Sequence, residues 1–314
     1  MYDLIIIGGS AVGCTAAIYA ARRKLNFKVI TGNIGGEVAL SGETNNWPGI
    51  ESIDGFDLAQ TFYKHAKSYG VEFEEGWFVS EIKPVKKHHV VTAKNAIGEE
   101  RTYETKTVII GSGIHPRRLG VPGEDMFDRK GVTYCTVCDG PLYKGKDTVT
   151  IGAGNSALES ALMMAGIAKQ VYVLTKYPNT PEKQFGFPKG DKILIDKLLE
   201  LKNVTILYEA ITTKIVGEKS ATGITYTDEK GEHSLAIQGV MVHIGMIPNS
   251  QFATNLTQNK AGEIVVDKLC HTNIPGIFAA GDVTNIDHKQ IVIAAGQGST
   301  AALEAIAYIN LWKE

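Results

Sequence analysis

Two stretches of this 314-residue chain repeat one design, and that repetition restricts the fold more than any other feature. In the first, Leu4-Ile5-Ile6-Ile7 runs into Gly8-Gly9-Ser10-Ala11-Val12-Gly13 and then an alanine-rich segment to about Arg23. In the second, Thr148-Val149-Thr150-Ile151 runs into Gly152-Ala153-Gly154-Asn155-Ser156-Ala157 and a similar segment to about Gly166. A further apolar run follows each, Phe27 to Ile30 and Gln170 to Leu174. Strand, glycine turn, helix and strand make a βαβ unit, whose strands must be parallel and whose crossover is right-handed. The predicted fold class is therefore α/β, with two Rossmann-like dinucleotide-binding domains.

Other segments fit that frame. Thr107 to Ile110, Val204 to Leu207 and Val240 to Ile244 have the continuous Val/Ile character of strands covered on both faces. His88 to Ala93 and Ile224 to Tyr226 read as hairpin strands, with Gly98 and Gly231 in or near turns. Gly111 to Pro116 and Gly245 to Pro248 mix glycine and proline between apolar runs, as chain crossings between domains do.

Composition excludes several classes. Apolar residues make up 44% and charged residues 21%, the balance of an ordinary globular chain, and the net charge is −2. Nothing in that charge points to nucleic acid or to an anionic membrane. No uninterrupted apolar run reaches the roughly 18 residues of a membrane span. The apolar stretch Leu4 to Ala21 lacks a basic flank and is interrupted by glycines, so it reads as strand and helix rather than as a signal segment. The expected location is cytoplasmic.

Each glycine turn has a chemical reading. A dinucleotide fingerprint needs one glycine for a tight turn, a second for close approach of a pyrophosphate, and a third for helix–strand packing. The phosphate then rests on the helix N-terminus, where unpaired N–H groups and the dipole favour negative charge. Gly8 and Gly13 fill the first and third places of the first turn, and Ser10 stands at the second. Gly152, Gly154, Asn155, Ser156 and Ala157 fit the second turn fully. At the end of its next strand stand Thr175-Lys176-Tyr177, with no acid for a ribose. Lys176 either meets the extra phosphate of NADPH as a point charge or is a solvated surface residue.

Four cysteines in a chain this long do not form a disulfide scaffold. Cys135 and Cys138 form a C-x-x-C pair, and neither Cys14 nor Cys270 supplies the second pair that zinc needs, so no metal site is expected. Two intervening residues permit the short separation of a disulfide. Asp139 next to them is placed either to shuttle a proton to a departing thiolate or to form a turn. Cys14 reads as a small buried apolar residue, and Cys270 falls in a loop with room to be exposed. His65, His88, His89, His115 and His243 show no metal-like grouping and read as structural or surface residues.

Taken in order, these motifs resemble low-molecular-weight thioredoxin reductases from the first strand to the last helix. Gly35-Gly36-Glu37 resembles the family's Gly-Gly-Gln, and Asn45-Asn46-Trp47-Pro48-Gly49 its Glu-Asn-Trp-Pro-Gly. Cys135-Thr136-Val137-Cys138-Asp139-Gly140 is similar to Cys-Ala-Thr-Cys-Asp-Gly. Gly276 to Asp282 resembles the flavin motif whose Asp binds the ribityl chain, and Lys289-Gln290-Ile291 the Arg-Gln-Ala at the isoalloxazine ring. The resemblance implies an FAD-binding domain of residues 1–113 and 245–314, interrupted by a pyridine-nucleotide domain of residues 116–243 that carries the cysteines. It also implies a homodimer that rotates one domain against the other about the crossings. Cys138 would face the flavin, Cys135 would attack thioredoxin or a similar redoxin, and Asp139 would be the acid/base.

Ser10, Glu37 and the stretch after Leu174 depart from the family pattern. The arginines that grip the NADP phosphate are absent, and Thr175-Lys176-Tyr177 is followed by the Pro- and Gly-rich Pro178 to Gly190. The electron donor is therefore open between a nicotinamide nucleotide, NADPH ahead of NADH, and, with the second turn as a relic, reduced ferredoxin. A flavin-containing redox sensor is the reading from a different functional class.

Overall fold

The computed structural model describes residues 1–312. The chain divides into two compact units, Met1–His115 together with the chain from Ile247 onward, and Pro116–Met246. Among the described residues the α-helices are α1 (Ala11–Arg22), α2 (Gly36–Ala39), α3 (Gly55–Ser68), α4 (Thr136–Asp139), α5 (Asn155–Ala165), α6 (Lys192–Leu199) and α7 (Ile291–Leu311).

In the first unit the strand Tyr2–Gly9 is flanked in a seven-stranded sheet by Phe27–Ile34 and Glu100–Ile110, both parallel to it. Leu4, Ile5, Ile6 and Ile7 are all buried, and they divide by face. Leu4 and Ile6 join the alanines of α1 and α7, whereas Ile5 and Ile7 pack with Trp77, Val91 and Ile264. Coverage on both faces is why the run shows no polar alternation. Gly298 allows α7 to lie close on α1, since a Cβ there would fall 2.6 Å from the Val12 carbonyl oxygen. By length and composition α7 could cross a membrane, but Ala294, Gly298, Ala301, Ala302, Ala305 and Ile306 on it are buried.

The strand predicted at Thr107 to Ile110 is the end of a longer one, Glu100–Ile110. Its first half is antiparallel to His88–Asn95, with Tyr103 and Thr105 buried between exposed neighbours. That half obeys the period-two pattern of a sheet with one wet face, so its charges hid it.

The second unit holds a parallel sheet in the order Val132–Thr133, Gly239–Val242, Asp147–Ile151, Gln170–Leu174, Val204–Leu207. A three-stranded antiparallel sheet, Ile211–Gly217, Ala221–Asp228 and Gly231–Ala236, accompanies it. The strand predicted to reach Ile244 ends at Val242, although the His243 N–H still donates to the Ile151 carbonyl at 2.8 Å.

One expectation is overturned. Cys270 lies in a loop but is fully buried, beside Phe278 and Ala301. The Asp267 carboxylate accepts from the backbone N–H groups of Leu269 and His271, each at 2.9 Å, and this turn points Cys270 inward with φ +68°. Burial pushes its thiol up to about 11.

Candidate functional site

At the first glycine turn the backbone leaves no room for side chains. Gly8 has φ +114°, and a Cβ on it would meet the Gly111 carbonyl oxygen at 2.2 Å. A Cβ on Gly13 would lie 1.8 Å from the Gly8 carbonyl oxygen. Ser10 is the N-cap residue of α1, yet its hydroxyl does not cap the helix; it donates to the Gly35 carbonyl at 2.6 Å. The first-turn N–H groups of α1 thus lack a side-chain cap and no acid stands among them, the condition for receiving an anion. The Ser10 bond also ties this turn to Gly35 and Gly36, which enter α2 at φ +92° and +50°.

Other predicted flavin-side residues gather in the same unit. Asn46 donates to the Gln290 side chain at 3.0 Å across 244 residues of sequence, and Gln290 stands at the N-cap position of α7 without a side-chain bond to the helix, with Ile291 as its first residue. Glu37 on α2 has its carboxyl raised by burial, with His115 opposing and Asp282 adding to the shift. Asp282 is raised by burial too, and Lys289 opposes this. The Lys289 ammonium is itself held by Glu263 at 2.9 Å and by the Thr284 carbonyl. The chain crossing is pinned within this unit, where Ser112 donates to the Asn249 carbonyl at 2.6 Å and Asn249 returns a bond to the Ser112 carbonyl at 2.8 Å.

In the second unit Cys135 and Cys138 form a disulfide with their Cα atoms 5.3 Å apart. Cys135 is the N-cap of α4, and its sulfur accepts from the Cys138 N–H at 3.2 Å. The Asp139 carboxylate accepts from the buried Thr133 hydroxyl at 2.5 Å, and the same hydroxyl accepts from the Cys135 N–H at 3.1 Å. Asp139 is thus held beside the pair by a residue that sequence reasoning passed over.

The second glycine turn repeats the first in backbone. Gly152 packs so tightly that a Cβ would meet the His243 carbonyl oxygen at 2.1 Å, while Gly154, the uncapped N-cap of α5, has nothing nearer than Lys189 at 3.7 Å. Asn155 is engaged: its side chain donates to Asp191 at 2.8 Å and accepts from the Asp191 N–H at 2.7 Å. Ser156 is exposed, and so is Lys176, whose ammonium lies 5.4 Å from the Tyr177 ring centre. Asp191 was missed because no motif marks it. Burial and the nearby Asp191 raise the carboxyl of Glu159 on the same helix.

Residues 2–298 match the family model described as pyridine nucleotide-disulphide oxidoreductase. The chain belongs to that family. An NADH dehydrogenase of Bacillus subtilis is 38% identical over 98% of this chain and 58% of its own length. The alkyl hydroperoxide reductase of Staphylococcus aureus has a component that is 39% identical over 98% of this chain and 59% of its own length. The chain thus spans less than two thirds of the length of these curated relatives. A crystal structure of Lactococcus lactis thioredoxin reductase superimposes with a TM-score of 0.84 at 30% identity, covering 99% of this chain and 100% of that one. The fold is that of the flavoprotein disulfide reductases, with two Rossmann-like units.

Membership of the pyridine nucleotide-disulphide oxidoreductases implies FAD and a pyridine nucleotide. The first glycine turn fits a flavin dinucleotide: two positions where any Cβ would strike backbone bring strand and helix together under uncapped N–H groups. Ser10, standing in place of a glycine, joins that turn to Gly35 through its hydroxyl.

Proposed function

We propose that the chain is an FAD-dependent disulfide reductase that passes electrons from NADPH through Cys135 and Cys138 to thioredoxin or a similar redoxin. The observation that carries this reading is a C-x-x-C disulfide in a family built around two dinucleotide turns. Gly8, Ser10, Gly13, Gly35, Gly36, Glu37, Asn46, Asp282, Lys289, Gln290 and Ile291 would hold FAD. Gly152, Gly154, Asn155, Ser156 and Lys176 would hold the nucleotide. FAD, when bound, supplies a ring that takes a hydride from the donor and returns two electrons. With two electrons and two protons the Cys135–Cys138 bond becomes a dithiol. The Cys135 thiolate attacks the redoxin disulfide, a mixed disulfide forms, and Cys138 displaces the reduced redoxin and restores the original bond. The Cys138 N–H aimed at the Cys135 sulfur favours the thiolate there, which suits Cys135 to the attacking role. Asp139, fixed by Thr133, is placed to accept and return the proton.

A second reading keeps the chemistry and replaces the donor with reduced ferredoxin. It is favoured by the Asp191 carboxylate held at the second turn and by the lack of arginine between Tyr177 and Asp191. Anaerobic addition of NADPH to the flavin-loaded protein separates the two. Bleaching of the flavin absorbance is expected; a flavin that stays oxidised with NADPH but bleaches with reduced ferredoxin gives the second reading. Cys138→Ser should retain FAD and lose redoxin reduction, and retained reduction would refute the role of the pair. A homodimer and a cytoplasmic setting accompany this proposal.

A further inference from the structure

Between the two redox cysteines lies Thr136, and its side chain is buried at 4% exposure, whereas Val137 beside it is exposed. The Thr136 hydroxyl lies 2.6 Å from the Ser160 hydroxyl on α5 and 2.8 Å from Nε2 of His243. Ser160 is equally buried. His243 is fixed through its backbone: its N–H donates to the Ile151 carbonyl at 2.8 Å, and its own carbonyl backs Gly152, where a Cβ would come within 2.1 Å. The histidine therefore stands on the most tightly packed part of the second glycine turn and reaches from there to the redox helix. Helix α4 has only four residues and cannot hold its own shape, because a single turn barely offsets the ordering of its backbone. Its geometry must come from outside, and Thr136 is where outside groups take hold.

We propose that His243 is a positioning residue for the redox pair, acting through Thr136 to hold Cys135 and Cys138 at the separation a disulfide requires. This rests on the reading of Cys135 and Cys138 as the working couple. The bridged form needs Cα atoms within about 4.4–6.8 Å, and the pair stands at 5.3 Å. The dithiol has no such requirement. An anchor on Thr136 therefore raises the effective concentration of each thiol at the other and favours the oxidised form. Burial holds the His243 imidazole down to about 4, so at neutral pH it is uncharged and its effect on the sulfurs is positional rather than coulombic.

The test is the thiol–disulfide equilibrium of the flavin-loaded protein, set by redox buffers and read by alkylation and mass, with no nucleotide or redoxin present. His243→Leu removes the polar partner at similar volume, and the disulfide should become easier to reduce by about tenfold in the exchange constant, about 30 mV for a two-electron couple. His243→Gln, whose amide can occupy the place of Nε2, should restore most of the shift. Thr136→Val, which gives up the Ser160 partner as well, should shift at least as far as His243→Leu, and adding His243→Leu to Thr136→Val should change nothing more. A His243→Leu protein of lowered thermal stability but parental potential overturns the proposal, as does a shift that persists undiminished in the Thr136→Val background. Should His243→Leu not fold, Thr136→Val and His243→Gln carry the same comparison. A parental protein whose cysteines do not titrate as one two-electron couple would instead overturn the functional reading beneath it.

Discussion

Alanine at Gly13 tests whether the first turn is a dinucleotide cradle. The added Cβ would sit 1.8 Å from the Gly8 carbonyl oxygen and 2.8 Å from its carbon. Heavy atoms in good contact stand about 3.5 Å apart, so turn and helix must separate by roughly 1.5 Å. Neither is free to yield. Gly8 is backed by the Gly111 carbonyl, and α1 is held from behind by α7 through Gly298. Overpacking of this kind costs about 1–3 kcal/mol, and the upper end applies because the atoms struck are backbone. Ligand binding suffers more than folding does. N–H groups bond acceptors at about 2.7–3.2 Å, so a shift above 1 Å at the α1 N-terminus removes them from a phosphate. Two lost bonds to charged oxygens, about 1.5–3 kcal/mol each, weaken FAD by at least about a hundredfold. The assay is FAD titration of the apoprotein by quenching of flavin fluorescence, with Gly296→Ala as control. Gly296 lies on α7 with no atom within 4 Å of its Cβ position, so alanine there should leave binding unchanged and add about 0.5–1 kcal/mol of stability. Gly13→Ala protein that binds FAD within threefold of the parent refutes the cradle.

Three further outcomes follow from the same structure. His89 is 4% exposed, and burial lowers its imidazole from 6.5 to about 4. The unfolded chain takes up that proton first as pH falls, so the contribution is whole above pH 6.5 and is lost toward pH 4, by up to about 3 kcal/mol. His89→Leu should flatten the fall in urea midpoint over that window, and an unchanged slope counts against the buried neutral histidine. Burial raises the thiols of Cys14 and Cys270 to about 12 and about 11. Native protein should therefore take no alkyl groups before reduction and two after it by mass; four would show that the buried pair is accessible. Lys176→Glu should raise KM for NADPH about tenfold or more while leaving NADH little changed; an unaltered NADPH KM would return Lys176 to the solvated surface.

Much of the architecture was legible because unbroken apolar strands, glycine turns and alanine helices are local patterns. Each of the two βαβ openings is visible within about thirty residues. Contacts made across the chain were not visible in the same way. Asn46 and Gln290 were both singled out by motif, but their bond spans 244 residues and no spacing rule links them. Ser10 read as a departure until the structure gave its hydroxyl to Gly35. Thr133, Asp191 and His243 carry no local signal at all. Thr133 acts through hydrogen bonds to Cys135 and Asp139, Asp191 through two to Asn155 and His243 through one to Thr136, and residues able to make such bonds are common in any sequence. Cys270 misled for a related reason: its neighbours are polar, but their polarity is spent on the Asp267 turn that buries it.

The two glycine turns are alike as backbone and unlike as electrostatic surroundings, and that difference bears on the donor. Both helices begin uncapped, so both present N–H groups and the positive end of a dipole. At α1 the nearest polar side chain, Ser10, is directed to Gly35 and no acid enters the first turn. At α5 a carboxylate of the chain itself, Asp191, is already bonded to Asn155 on the first turn. An arriving pyrophosphate there must share the positive end with a negative neighbour or draw Asp191 away from Asn155. The exposed Lys176, together with Lys183 and Lys189 on the segment that follows, is what the sequence offers against that repulsion. On the proposed function, one pattern in the sequence would serve two sites of unequal affinity for dinucleotide: FAD retention would follow from the first turn, and the choice of electron donor from how Asp191 and the lysines of this segment answer an arriving pyrophosphate at the second.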